Sequence, residues 1–319
     1  LRAHIDDLRY RYHVLNDPEV TDAMYEKLMY ELKNIEREHP ELVTADSPTQ
    51  RVAGKPSEKF EKVIHRVTQW SFNDAFEEQD IVDWEERIMK ILENRLGSRP
   101  KDLDYVCELK IDGLHMVLTY EKGMLKTAAT RGDGKVGEDV TANVRTIWSV
   151  PLTLANPPPP ASQARALRAG QPPPRGDSKN PRLGGDARRQ GWVGGTFESL
   201  VAEGEVWLDK EMLEKINAER KKQGEPLFAN PRNAAAGTIR QLDSSIVAAR
   251  KLSLTTYDIS SDNAPPTQAE ELKMLKNLGF KTDTHWKVCK NIGEIIKFHN
   301  EWEAKKISQE FWIDGIVIK

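Results

Sequence analysis

The sequence predicts an α+β protein: an N-terminal helical hairpin, then a larger unit of largely antiparallel sheets with flanking helices. Three observations predict it. Apolar residues recur at helical spacing within residues 1–50. Beyond residue 100, short apolar runs bounded by turn residues take over. These runs do not alternate regularly with helices, as a doubly wound sheet would require.

Leu1, Ile5, Leu8, Tyr12 and Leu15 fall on one helix face, and Asn16-Asp17-Pro18 ends that helix. Thr21 or Asp22 caps a second helix, which carries Tyr25, Leu28, Leu32 and Ile35 on one face and stops before Pro40. Residues 41–59 are polar, with Pro and Gly, and read as a linker, so the first domain spans 1–59 and the second 60–319. Residues 76–96 form an amphipathic helix. Strands follow at 105–109, 114–120 and 125–129, with a hairpin turn at Gly123. Further strands fit 203–208, 252–259 and 311–318, and helices fit 209–222 and 267–278. Residues 155–200 interrupt this pattern with two proline runs, seven Lys or Arg and three acids. So little of that segment is apolar that it reads as a disordered surface insertion between two strands.

Composition narrows the function. At 319 residues, 30 % charged and 38 % apolar, the chain is a soluble globular protein of one large or two ordinary domains. No apolar run approaches the roughly 18 residues of a membrane span, and no signal peptide is visible. Two cysteines, Cys107 and Cys289, are too few for a disulfide framework or a cysteine zinc site, and read as reduced, cytoplasmic thiols. A net charge of −3 gives no global pull toward nucleic acid, so any such contact needs a local basic face. The chain lacks an initiator Met and stops within a motif, which reads as an excerpt of a longer protein.

Three short stretches carry chemistry. Glu108-Leu109-Lys110-Ile111-Asp112-Gly113 closes an apolar strand, Gly204-Glu205-Val206-Trp207 lies in another, and Asp314-Gly315-Ile316-Val317-Ile318-Lys319 ends the chain. Lys-x-Asp-Gly alone occurs by chance in roughly one chain in fifteen of this length and equally describes a charged strand end before a turn. A lysine after an apolar strand can, however, be held partly desolvated with its amine free to attack. Gly113 lets another backbone approach closely. Glu205 reads either as a solvated strand carboxylate or as a ribose or metal ligand, and Lys319 as a strand end or a phosphate contact. Their joint appearance, with an acid before each lysine, points to a covalent nucleotidyltransferase.

Longer strings make the likeness specific. They are residues 47–52 (SPTQRV), 129–134 (ATRGDG), 143–147 (NVRTI) and 228–237 (FANPRNAAAG). With these motifs the chain resembles the adenylation module of bacterial-type NAD+-dependent DNA ligases, from end to end except 155–200. The resemblance implies a nucleotidyltransferase domain of the ATP-grasp-like, covalent-lysine kind. In it Lys110 is the nucleophile within Lys110-x-Asp112, Glu108 recognises the adenine amino group, Arg131 and Glu205 contact the ribose, and Tyr257 stacks on adenine. Ser71 and Phe72 border the adenine site. Asp314, with Glu205, supports Mg2+ or lysine activation, and Lys319 contacts the α-phosphate. Arg232 and Arg240, flanking an Ala-rich turn, meet DNA phosphates. Tyr12, His13, Asp22, Tyr25 and Glu26 hold nicotinamide mononucleotide (NMN). The implied partners are NAD+, Mg2+ and nicked double-stranded DNA, for a monomer, with zinc confined to domains beyond Lys319. Glu26 in place of Asp, Phe72 of Leu, Glu203 of Arg and Lys306 of Arg depart from the family pattern. An ATP- or GTP-using relative or an inactive DNA-binding scaffold are the alternatives. The N-terminal hairpin and the residue 228–237 string argue against the first, and the intact Lys110, Glu205, Asp314 and Lys319 against the second.

Overall fold

The structure, a computed structural model, describes residues 1–15, 19–52, 59–101, 103–155, 198–260 and 264–319. Most of the expected insertion, and the Asn16-Asp17-Pro18 break, lie outside the described residues. The hairpin opens with α1 (Arg2–Tyr10), which buries Ile5 and Leu8 and passes into a π-helical turn at Arg11–Leu15. α2 (Asp22–Glu38) starts at Thr21, whose hydroxyl accepts the Met24 N–H. The described part of the linker, up to residue 52, packs closely on the larger unit. Ser47 and Arg51 are fully buried, and Arg51 donates to the carbonyls of Arg145, Ile147 and Val150 at 3.0–3.1 Å.

Among the described residues the larger unit contains three antiparallel sheets. A four-stranded sheet has the order β4-β3-β6-β7, with β3 Leu114–Glu121, β4 Met124–Thr130, β6 Ser199–Trp207 and β7 Ser253–Ile259. A three-stranded sheet has the order β8-β2-β9, with β2 Tyr105–Ile111, β8 Lys287–Cys289 and β9 Ile313–Ile318. A short ribbon pairs β1 (Lys62–Ile64) with β5 (Val136–Glu138). Ser199 and Leu200, expected inside the insertion, instead begin β6, opposite Glu121 and Tyr120.

Strand alternation gives the four-stranded sheet two distinct faces. Met116, Leu118, Tyr120, Leu200, Ala202 and Val206 point into one apolar cluster, closed by Ile147, Val150, Leu275 and Phe280. Trp207 points the other way and joins Tyr105, Cys107, Leu109 and Phe298, which belong to the three-stranded sheet and its helix. That second face therefore looks across a cleft at β2 and β9. The chain crosses between sheets at Asp112-Gly113, directly between β2 and β3. A Cβ on Gly113 would lie 2.2 Å from the Val206 carbonyl oxygen, so only glycine fits the crossing.

The helices pack around these sheets. α3 (Glu78–Leu96) has a capping box between Glu77 and Asp80 and ends at left-handed Gly97. α4 is a single turn, Thr141–Val144, and α5 spans Lys210–Lys222. The Ala-rich segment expected as a turn is a helix, α6 (Pro231–Ile239), capped by the Asn230 side chain on the Asn233 N–H, with Ala234, Ala235 and Ile239 buried. α7 (Ser244–Ala249) follows it, α8 (Gln268–Asn277) packs on β7, and α9 (Ile292–Lys305) covers β2, β8 and β9.

Candidate active site

The cleft between the two large sheets gathers most of the sequence-expected residues. Lys110 lies near the end of β2 opposite Gly315 of β9, and its ammonium is bonded to the Asp314 carboxylate. Its side chain is 42 % exposed, so desolvation is not what prepares it. The buried stretch of β2 ends at Leu109, immediately before Lys110, and the acid across the ladder is its partner. Asp112 follows at the crossing, 3.7 Å from the Arg232 guanidinium.

Glu108 points to the cleft floor and is 3 % exposed. Its Oε1 accepts from Gln268 Nε2 at 2.9 Å and lies 3.3 Å from Lys319 Nζ. Burial pushes its carboxyl up to about 7 against the pull of Lys319, with Asp283 adding to the rise. Lys319 is held by protein groups. Its ammonium donates to the Tyr257 carbonyl at 2.9 Å and the Asp258 carboxylate at 3.2 Å, and sits 5.2 Å from the Tyr257 ring centre. With three carboxylate and carbonyl groups around it, the buried amine is drawn to the floor rather than the mouth.

Glu205 lies on β6 opposite Thr255 of β7 and His115 of β3. Burial raises its carboxyl to about 7, opposed by Arg232 and Lys110 and assisted by Asp112, which places all three close by. Tyr257 stands beside it, its hydroxyl 2.7 Å from His115 Nδ1. Arg131 donates to Ser71 Oγ at 3.0 Å, tying the strand end to the segment that also carries Phe72, whose ring is 5.9 Å from Lys319 Nζ. Arg232 and Arg240 stand at opposite ends of α6. Arg232 is more than half exposed, and Arg240 is bonded to Glu138 at 2.9 Å.

The hairpin residues are not brought to this cleft. His13 stacks on Trp148 with ring centres 5.6 Å apart, Tyr12 packs on His13, and Tyr25 meets the Trp148 edge at 6.0 Å. Arg9 donates to the Trp148 carbonyl at 2.7 Å. Trp148 follows Ile147, which closes the apolar cluster on the Tyr120 face of the sheet. The contacts of this aromatic set are thus with Trp148 and not with the cleft residues. Burial and the neighbouring Arg9, Arg51, Lys281 and Lys251 push the His13 imidazole down to about 3. Glu26 is exposed on α2, and the Asp22 side chain lies outside the described residues.

Residues 57–165 and 194–319 match the NAD-dependent DNA ligase adenylation domain, and residues 1–53 match the DNA ligase-like N-terminal NAD+-binding domain. The chain belongs to the NAD-dependent DNA ligase family. It is 41 % identical over its whole length to a DNA ligase of Thermotoga petrophila, covering 40 % of that protein. A DNA ligase of Prochlorococcus marinus and one of Desulforamulus reducens are each 40 % identical over the whole chain, which covers 43 % and 41 % of them. The chain spans about two fifths of the length of these ligases.

Several residues of the ligase cleft carry no sequence signal. His115, Gln69, Gln268 and Asp283 reach it through strand register or tertiary packing. Only Asp258 was findable, because it adjoins Tyr257. Trp148, the seat of the hairpin, sits just beyond the residue 143–147 string.

Proposed function

We propose that this chain carries out the first step of NAD+-dependent ligation: Lys110 attacks the α-phosphorus of NAD+. A phosphorus–nitrogen bond forms to Lys110, the bond to the bridging oxygen breaks, NMN leaves with the electron pair, and the amine loses a proton. The observation that carries this reading is the Lys110–Asp314 pair at the rim of a cleft whose floor holds Glu108 and whose wall holds Glu205 and Tyr257. Glu108 supplies an acceptor for the adenine amino group, Tyr257 a stacking face and Glu205 an acceptor for ribose hydroxyls. Lys319 must leave Glu108 for the adenine to take its place, and that move frees its charge for the phosphates.

Among the described residues no group of three His, Cys, Asp or Glu stands ready for a metal ion. Mg2+ suits this arrangement nonetheless, because it is commonly held by one or two carboxylates plus substrate phosphates. Asp314 and Glu205 would hold it, and it would neutralise charge on the phosphoryl oxygens.

The hairpin, which matches an N-terminal NAD+-binding domain, would take the NMN half. Because its aromatic residues are seated on Trp148, this reading has the hairpin leave that seat when NAD+ binds. In the whole enzyme AMP would pass to the 5′-phosphate of a nick in duplex DNA, with Arg232 and Arg240 on backbone phosphates. No described helix is long and apolar enough to cross a membrane. A monomer acting in the cytoplasm completes the reading.

Incubation with NAD+ and Mg2+, followed by mass spectrometry, tests it. The expected result is a covalent gain of AMP less water, mapped to Lys110. No gain with NAD+, or a gain only with ATP, overturns it.

A further inference from the structure

His115 lies on β3, directly opposite Glu205 in the β3–β6 register. Its side chain keeps 17 % of its surface, and both ring nitrogens are engaged. Nδ1 is 2.7 Å from the Tyr257 hydroxyl and Nε2 is 3.0 Å from Gln69 Oε1. The Gln69 amide is oriented by its own nitrogen, which donates to the Val67 carbonyl at 2.9 Å. Its oxygen therefore accepts and His115 Nε2 carries the proton, which leaves Nδ1 as an acceptor facing the Tyr257 hydroxyl, a group that also bonds the Glu205 carboxyl. Burial, reinforced by Arg131 and His65, pushes the imidazole down to about 4, so the ring is neutral and able to accept.

Glu203 completes the arrangement. Its carboxylate accepts from the Ser260 hydroxyl and lies 3.7 Å from His115 Nε2. This is a position where the family resemblance leads one to expect arginine. A guanidinium there would set donors against the Nε2–H donor, whereas a carboxylate does not. Glu203 and His115 therefore suit each other chemically.

We propose that His115 is a positioning residue that fixes the Tyr257 ring for stacking on adenine, acting through the Tyr257 hydroxyl and anchored in turn by Gln69. The inference deepens the functional reading above and rests on its assignment of Tyr257. The hydrogen bond spans the sheet from β3 to β7 past β6. It ties the stacking ring to the strand that follows Lys110 and to the segment that carries Ser71 and Phe72. A ring already held in place loses less freedom when the nucleotide arrives.

The test measures lysyl-AMP formation by the chain at varied NAD+, and AMP binding by calorimetry. It compares wild type, His115→Ala, His115→Asn, Tyr257→Phe and the His115→Ala/Tyr257→Phe double variant. His115→Ala should raise half-saturating NAD+ about five- to tenfold, the size of one lost hydrogen bond. Its maximal rate should stay within about twofold, because the contact is made equally before and during reaction. AMP binding should weaken by the same factor. His115→Asn, whose side-chain oxygen can accept from Tyr257, should recover most of the loss. In the Tyr257→Phe background, His115→Ala should add nothing, since the hydroxyl it acts through is gone. If His115→Ala does not fold, Gln69→Met decides, with an expected rise of about twofold or more from loss of the Nε2 anchor.

Unchanged NAD+ dependence, an equal loss in the Phe background, or a fall in maximal rate alone overturns the proposal. Wild-type chain that binds AMP but forms no adduct sinks the functional reading and leaves the His115 comparison readable in AMP affinity. Wild-type chain that binds no AMP sinks both.

Discussion

Lys110 and Asp314 form an ion pair across the β2–β9 ladder although they are not register partners: Lys110 faces Gly315, and Asp314 reaches over one position to the ammonium. Gly315 has open space where a Cβ would stand, so nothing crowds the pair. An attacking amine must shed a proton, and a carboxylate in contact with it is the natural acceptor. Lys110→Ala should give no adduct at all. Asp314→Asn should slow adduct formation about a hundredfold or more, with little change in half-saturating NAD+. Both side chains are well exposed, so melting temperatures should hold. Time-resolved mass spectrometry with parallel thermal melts checks both statements, and undiminished AMP on Lys110→Ala removes the nucleophile assignment.

Glu205 should trade stability for binding. Burial raises its carboxyl to about 7 from the usual carboxylate value. Between those two values the folded state holds more protons than the unfolded one, so stability falls as pH rises through that window. The cost is absent near pH 4 and complete above about pH 7. Glu205→Gln should therefore melt higher than wild type at pH 8, by about 2–4 °C for each kcal/mol relieved, and level with it near pH 4. The same variant should weaken NAD+ about tenfold or more, having lost a charged acceptor for the ribose. For wild type the sign follows: half-saturating NAD+ should fall from pH 6 to pH 8 as Glu205 and Glu108 ionise. A pH series of melts and initial rates reads both.

The helices and strands with strong periodicity were legible: α2, α3, α8 and the central strands end within a few residues of the sequence reading. What failed did so for local reasons. Residues 231–239 carry a Pro, a Gly and three alanines, which read as a turn, yet Pro at the first helical position and an Asn cap are helix starters. β1, β5 and β8 are three residues each, too short to show alternation. In the site, motif residues were visible because they lie in sequence-local strings. His115 was not, because its meaning comes from pairing opposite Glu205 on a strand 90 positions away. The seating of His13 and Tyr25 on Trp148, with Tyr12 on His13, was equally hidden, since helix-face aromatics give the same pattern whether they meet a ligand or a protein surface.

Gly113 should tolerate no side chain. In Gly113→Ala the new methyl would meet the Val206 carbonyl oxygen at 2.2 Å and the Glu205 side chain at 2.9 Å. Backbone cannot yield as a flexible side-chain tip can, so the two sheets must separate at the crossing. A loss of about 1–3 kcal/mol is expected from overpacking. Because Lys110 and Glu205 flank the crossing on different sheets, adduct formation should fall further than the melting temperature implies. Differential scanning calorimetry with adduct rates at a temperature well below melting separates the two. Wild-type behaviour in both would show that the crossing has room.

Tyr25 offers a case in which the two readouts move in opposite directions. Its hydroxyl is buried and finds no protein partner among the described residues, and burial pushes the phenol up to about 12. Its ring meets only the edge of Trp148, so the hydroxyl adds cost and no contact to the docked hairpin. Tyr25→Phe should therefore leave the docked state as stable as wild type or raise its melting temperature by about 1–3 °C. If the hydroxyl serves the NMN half of NAD+ once the hairpin leaves Trp148, the same change should raise half-saturating NAD+ severalfold. It should not touch AMP affinity, because AMP lacks that half. Deleting residues 1–50 carries the argument to its limit. Both large apolar clusters consist of residues from 60 onward, so the remaining chain should keep its fold and its AMP binding yet give no adduct from NAD+. Adduct formation at the normal rate by the shortened chain would take the NMN role away from the hairpin. A Tyr25→Phe variant that melts lower would mean instead that the hydroxyl is already satisfied where it sits.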